Sequence, residues 1–134
     1  MFYEYTLLIP AGTEENNPAE VDALVEPGVL TYAEVGFPNG CHQLVHVVIV
    51  EGKFQIAPRN PEGTMAADGY VIPIHPNYPL KRGHNMLKLK GWSPNTAYEH
   101  EIKVRLTVLP PEEADPWQAL RDFISIVKKL IGLD

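Results

Sequence analysis

The chain has 134 residues, a formal net charge of −6 at pH 7 and one cysteine, Cys41. This length suits a single domain with one buried core, and a lone cysteine excludes an intramolecular disulfide framework. The acidic balance argues against sequence-independent binding of nucleic acid, because such binding depends on Lys and Arg residues that neutralise phosphates.

The first residues alternate in the manner of a half-buried strand. Tyr3, Tyr5, Leu7 and Ile9 share one face, and the turn that begins at Pro10 ends the run. This N-terminus lacks the basic stretch and apolar block of a secretory signal, and no apolar run in the chain reaches the roughly 18 residues needed to cross a bilayer. We therefore expect a protein made in the cytoplasm and not secreted by a signal peptide.

The middle of the chain is a series of short apolar runs separated by Pro and Gly turns. The two residues Glu51 and Gly52 predict a tight hairpin, because Gly can adopt the positive φ that such a turn demands. The run from residue 44 to residue 50 is apolar on both faces apart from His46, which predicts a covering third layer formed by the C-terminal helix or a neighbouring subunit. Strands are predicted at residues 20–26, 29–37, 43–50, 53–57, 70–74 and 86–91.

The clearest strand pattern lies between Tyr98 and Val108. Even positions are apolar or aromatic and odd positions are charged or Thr, which predicts a long strand with one buried face. About eight strands without an intervening helix predict an all-β antiparallel sandwich of jelly-roll type followed by one C-terminal α-helix. The predicted organisation is a sandwich over residues 1–109, a Pro-rich acidic linker over 110–116 and an amphipathic helix over 117–134.

The predicted helix carries one apolar stripe, with charged residues opposite and Asp115 and Pro116 placed to start it. Ile126 and Leu133 widen the stripe beyond what one flat sheet requires, so we predict an interface with another molecule, to which Phe2 and Tyr3 are secondary candidates. Burial against the protein's own sheet stays open as an alternative. The stripe consists of Trp117, Leu120, Phe123, Ile124, Val127, Leu130 and Ile131.

A helix lying on a membrane surface is a competing interpretation, because such helices combine Trp and Phe on one face with Lys on the other. Two observations argue against it. The predicted helix has only three basic residues, Arg121, Lys128 and Lys129, and the linker before it is acidic.

Charge is unevenly distributed along the chain. Residues 1–52 hold eight acidic and no Lys or Arg residues, whereas residues 53–110 hold eight Lys or Arg and four acidic residues. We favour an arrangement in which acidic early strands pair with basic late strands in one sheet. The alternative is that the two halves form opposite poles that attract another copy or a partner.

No catalytic, metal or cofactor site is predicted. His42 and His46 would lie about 13 Å apart along a strand, too far to share a metal ion. His75, His84 and His100 have no ligand-type neighbours at suitable spacing, and Cys41 is expected to be a buried free thiol. The second functional hypothesis is a glycan-binding or receptor-binding module, in which exposed aromatic rings stack on sugars. Its candidate residues are Trp92, Asn95, Tyr70 and Tyr78.

Three segments give the chain a resemblance to small jelly-roll or β-sandwich structural proteins of phage particles: residues 3–13, 37–41 and 98–102. The resemblance is one of style, it covers the body and not the helix, and it implies assembly without catalytic residues. We therefore predict a non-enzymatic structural subunit, located in the virion as a capsid decoration, minor capsid or tail protein. Its expected partners are further copies of itself or a capsid or tail lattice.

Overall fold

A computed structural model describes residues 1–80, 85–110 and 116–132, with main-chain placement only for Asn85 and residues 116–119. Over these ranges the chain forms nine strands and one helix. The elements are β1 (Phe2–Ile9), β2 (Ala19–Val25), β3 (Gly28–Phe37), β4 (His46–Glu51), β5 (Phe54–Ala57), β6 (Tyr70–Ile74), β7 (Tyr78–Leu80), β8 (Asn85–Trp92), β9 (His100–Leu109) and α1 (Pro116–Leu130).

The strands form two antiparallel sheets. In sheet A the order is β1-β9-β3-β6, with β7 also paired to β3, and in sheet B the order is β2-β8-β4-β5. The first strand therefore pairs with the last, the second with the one before it, and so on inward to the β4–β5 hairpin. A chain folded back on itself in this way and wrapped into two sheets is a jelly roll. The predicted all-β jelly-roll sandwich with one C-terminal helix is confirmed.

The core lies between the two sheets and is made by the alternating positions of their strands. In β9, Ile102, Val104, Leu106 and Val108 are fully buried, while the residues between them are partly exposed. Burying each such side chain contributes about 1.5–3 kcal/mol relative to leaving it in water. Facing side chains from both sheets complete this core, including Leu7, Ile9, Leu30, Ile49, Leu87 and Leu89.

Acidic early strands lie beside basic late strands, as predicted from the charge distribution. In sheet A, Arg105 of β9 lies 3.8 Å from Glu4 of β1 and 3.4 Å from Glu34 of β3. In sheet B, Lys88 of β8 lies 3.3 Å from Glu20 of β2. These pairs are partly solvated, so each contributes a few tenths of a kcal/mol, and their main effect is to favour this register.

Strand β4 is buried on both faces, as its apolar sequence predicts, and the third layer expected over its outward face stays a prediction. Val48 and Val50, which point away from the core, are only 4% and 8% exposed. They lie directly opposite Lys90 and Lys88 of β8, whose aliphatic stems can cover apolar neighbours while their ammonium groups reach water. The stems of Lys88 and Lys90 therefore offer one cover for the outward face of β4.

A side-chain amide holds the loop that follows β5. The Nε2 atom of Gln55 lies 2.7, 3.0 and 3.0 Å from the carbonyl oxygens of Pro58, Asn60 and Gly63, which share its two N–H groups. The loop then returns to β4, where Met65 and Val47 exchange two backbone hydrogen bonds of 3.0 Å. This arrangement fixes the edge of sheet B beside β4.

Gly28 of β3 lies close against the end of β9 in sheet A. Its φ is +150°, and a Cβ added there would overlap the backbone carbonyl oxygen of Leu109 and lie 3.1 Å from the side chain of Val108. Only Gly combines that dihedral angle with so little space. The position is therefore closed to any larger residue.

Candidate interaction surface and polar loop cluster

Helix α1 has a well-defined C-terminal end. Lys128 and Lys129 occupy the last turn, where positive charge interacts favourably with the helix dipole. Gly132 follows with a φ of +75°, and its N–H donates to the carbonyl of Lys129 at 3.3 Å, which is the usual role of Gly after a helix. The predicted cap at Asp115 lies outside the described residues, as does Leu133.

The apolar stripe of α1 is exposed to solvent. Every residue from 120 to 132 is exposed, so the described side chains of the helix are not buried against the sandwich. Exposed apolar surface of this kind is typical of interaction sites. The exposed fractions are Leu120 44%, Phe123 62%, Ile124 45%, Ile126 57%, Val127 37%, Leu130 80% and Ile131 63%. The side chain of Trp117, the first residue of the predicted stripe, is not among those described.

The two secondary interface candidates differ in their surroundings. Phe2 is 64% exposed at the start of β1. Tyr3 is half-buried against the core, and its hydroxyl accepts the backbone N–H of Glu26 at 3.1 Å. Phe2 is therefore free to contact another molecule, whereas Tyr3 already has a structural role in its own sandwich.

A polar loop cluster lies at the end of the sandwich where β9 begins. The carboxylate of Asp68 accepts the backbone N–H of Gly40 at 2.8 Å and further backbone N–H groups of Cys41 and His42. His42 and Gln43 both have positive φ, 48° and 60°. Such conformations cost free energy in non-Gly residues and persist only where surrounding contacts impose them. The contacts of Asp68 are of that kind.

The ring of His100 lies beneath this loop. Its Nε2 is 3.3 Å from the carbonyl oxygen of Gly40, the hydroxyl of Tyr98 donates to the same oxygen at 3.3 Å, and the two rings are 4.7 Å apart. His100 is 4% exposed, and its Nδ1 has no hydrogen-bond partner among the described residues. Tyr98 is 56% exposed and precedes β9. Our assignment of Tyr98 to the buried face of that strand was therefore wrong.

Cys41 is buried in this cluster, as predicted. Burial raises the pKa of its thiol, and the nearby Asp68 carboxylate raises it further. A thiol that is fully enclosed and disfavoured as thiolate is a poor nucleophile. The hydrogen bonds of Asp68 thus act to hold the loop around this thiol.

Replacement of Asp68 by asparagine is expected to remove part of the protein's acid sensitivity. The hydrogen bonds from the backbone N–H groups of Gly40 and His42 lower the pKa of Asp68. The stability that this carboxylate contributes is therefore present above its unfolded pKa, near 3.9, and is lost as pH falls through the lower folded value. Urea unfolding should give the variant a lower free energy of unfolding than the wild type at pH 7. Between pH 7 and pH 2–3 the variant should lose less of that free energy than the wild type does.

The matched control for this experiment is Asp22→Asn. Asp22 is a 60% exposed carboxylate whose nearest cation, Lys88, is 4.0 Å away. Its replacement should leave the difference in free energy of unfolding between pH 7 and pH 2–3 close to that of the wild type. An equal acid-induced loss in Asp68→Asn and the wild type would contradict the proposed role of Asp68.

Two of the four predicted ligand-binding residues lie near β8 but in different settings. Trp92 is half-buried at the end of β8 and stacks on His46 of β4, with ring centroids 6.1 Å apart and an interplanar angle of 23°. Asn95 lies in the following turn and lines a small recess with Tyr98 and His100. Trp92 therefore packs within sheet B and does not stand as an open platform.

The other two residues lie elsewhere on the sandwich. Tyr70 is 60% exposed in an open groove beside Lys103 and Arg105. Tyr78 stacks on Phe54 with centroids 5.5 Å apart, and its hydroxyl donates to Glu51 at 2.6 Å. Burial and then this hydrogen bond raise the pKa of Tyr78 to about 12. The four residues thus occupy separate surroundings.

The histidines have structural neighbours. His42 lies in a turn and not on a strand, so the strand spacing used to separate it from His46 was wrong. His46 contacts the hydroxyl of Thr64 at 2.8 Å, and His75 packs on Tyr32 at 5.1 Å. His84 lies outside the described residues. Within the described part of the chain, no group of three or more His, Cys, Asp or Glu residues could hold a metal ion.

Searches for similar proteins return distant structural matches. No protein-family model and no curated protein match the chain. A chain of Bacillus endospore appendages, which form a novel family of disulfide-linked pili, is 13% identical, with 81% of this chain and 88% of that chain covered and a TM-score of 0.33. FlhE is 11% identical, with 78% and 95% covered and a TM-score of 0.32. Likenesses at these scores carry no argument about function.

Proposed function

We propose that the chain is a non-enzymatic structural subunit of a larger assembly, joined to that assembly through α1. The observation that carries this proposal is the exposed apolar stripe of the helix, in which Phe123 is 62% and Leu130 80% exposed. The jelly roll beside it already has a closed core between its two sheets. Burial of the stripe by another molecule would supply the missing contact, because apolar surface of this extent is favourably removed from water.

The more specific proposal is a subunit of a virus particle, as a capsid decoration, minor capsid or tail protein. A compact jelly roll followed by an apolar helical arm suits this role, because the sandwich forms a rigid body and the arm supplies a separate point of attachment. The polar cluster at Asp68 and His100 serves to hold a loop, which agrees with a structural subunit.

The placement of the aromatic side chains does not favour the alternative of a glycan-binding module. Trp92 packs on His46 and Tyr78 on Phe54, while Tyr70 lies in a separate groove that Lys103 and Arg105 also line. Sugar sites generally combine a stacking ring with several converging polar groups. The described residues do not place two of these rings together.

Truncation after Leu109 is expected to separate assembly from folding. The shortened protein should keep the cooperative unfolding of the sandwich, because no described side chain of residues 120–132 is buried, but it should lose self-association. Sedimentation velocity of both proteins over a range of concentrations measures this. A full-length protein that remains a single chain at high concentration, and does not bind a capsid or tail lattice, would contradict the proposal.

A further inference from the structure

The apolar residues of α1, together with Ile131 directly after it, follow a heptad pattern. Leu120, Ile124, Val127 and Ile131 are separated by four, three and four residues, the spacing at which side chains line the seam between supercoiled helices. All four are exposed, from 37% for Val127 to 63% for Ile131. From this pattern, and resting on the proposed assembly function, we propose that the partner of α1 is α1 of other copies, in a parallel bundle of three or more helices.

The width of the apolar surface argues for more than two helices. Phe123 and Leu130 stand beside the seam, at the positions called g, and Ile126 extends the same side. At about 100° per residue these side chains span roughly 160° of the helix circumference. A two-stranded seam needs only the narrower a and d stripe, whereas a helix that faces two neighbours needs this broader face.

Charge selects the parallel orientation. The flanking positions called e hold Arg121 and Lys128. In an antiparallel pair, e positions face each other, so Arg121 of one copy would meet Lys128 of the next and the like charges would repel. In a parallel bundle, e faces g, and the stems of these basic residues lie against Phe123 and Leu130. Identical parallel helices in register are related by a rotation axis along the bundle, so the assembly closes as a ring.

Other partners suit the helix less well. The outer faces of the sandwich carry ion pairs, with Arg105 between Glu4 and Glu34 on sheet A and Lys88 beside Glu20 on sheet B, so they offer α1 of another copy a charged surface. A membrane surface attracts helices rich in basic residues, but three acidic residues precede α1 at positions 112, 113 and 115. A second copy of α1 has an apolar face of the same width, so two copies can cover each other's exposed apolar side chains.

Cysteine cross-linking of the full-length protein tests both orientation and register. The Ile131→Cys variant places a thiol in the seam, and a parallel bundle brings identical positions together, so mild oxidation should convert most chains to covalent dimers. The Ser125→Cys variant is the matched control, because Ser125 lies on the polar side of α1. It should remain uncross-linked, as should the wild type, whose Cys41 is buried. Sedimentation equilibrium of the unmodified protein should give a mass of three or more chains.

The outcomes distinguish this inference from the proposed function. Self-association without cross-linking of Ile131→Cys, but with cross-linking between mixed Leu120→Cys and Ile131→Cys chains, shows an antiparallel pair and overturns the inference alone. An oligomer of two chains does the same. A protein that stays monomeric in solution and binds vesicles of phosphatidylcholine and phosphatidylglycerol overturns both the bundle and assembly through α1.

Discussion

The Ile124→Glu substitution is expected to abolish self-association while leaving the sandwich as stable as before. Ile124 lies at the centre of the apolar stripe and is 45% exposed in the single chain, so the carboxylate costs little until partners bury it. In a parallel bundle the carboxylates of all copies would meet in the seam and lose hydration, at a cost of about 3 kcal/mol or more, which weakens association at least ~100-fold. Light scattering across a concentration series measures the change.

Ser125→Glu is the control for this prediction. It adds the same charge one residue further along α1, on the polar side, and should leave the oligomer intact. The thermal unfolding temperature of all three proteins at low concentration should agree. Equal loss of association in both variants would show that net charge, and not the apolar seam, governs assembly.

The Gly28→Ala substitution is expected to give the largest loss of folding stability among single exchanges of small residues. The added Cβ would overlap the carbonyl oxygen of Leu109, and the φ of +150° is one that side-chain-bearing residues rarely adopt. Backbone strain and overpacking together cost about 2–5 kcal/mol. For a domain of this size that loss lowers the unfolding temperature by roughly 10 °C.

The Gly52→Ala substitution separates the two causes of the stability loss, backbone strain and overpacking. Gly52 also has a positive φ, +58°, but nothing lies within 4 Å of an added Cβ. This variant should lose only about 1 kcal/mol, the cost of a left-handed conformation. Urea unfolding of both variants gives the comparison, and equal losses would show that the close approach to Leu109 is unimportant.

The strands that could be predicted are those whose own sequence alternates. The even positions of β9 show this pattern. Residues 70–74 were also predicted, with the bounds that the structure gives, although they do not alternate and include Pro73. β7 was missed because Pro79 within a three-residue run indicates a turn. As an edge strand paired only to β3 over three positions, it tolerates that proline. The start of β4 was misplaced because His42 and Gln43 adopt positive φ in a turn, which no hydrophobic pattern reveals.

The two candidate sites also differ in how far the local sequence predicts them. The stripe on α1 could be found from spacing alone, because a helix brings together residues three and four apart. Its exposure could not, since that depends on whether the sandwich leaves a face for the helix. The cluster of Gly40, Asp68 and His100 joins three distant segments. Turn residues were visible at residues 38–40 and 68–69, but only the strand order places these turns together.

Because β1 pairs antiparallel with β9, different segments of the chain lie at the two ends of the sandwich. Phe2 lies opposite Thr107 and Ile9 opposite His100, so the beginning of the chain and the root of the helical arm leave the sandwich at one pole. The turn at residues 93–96 and the Gly40 loop lie near the other pole, about 30 Å away along a ten-residue strand. If α1 anchors the subunit, a passenger peptide at the amino terminus would crowd the anchoring side, whereas one inserted in the 93–96 turn would be displayed outward.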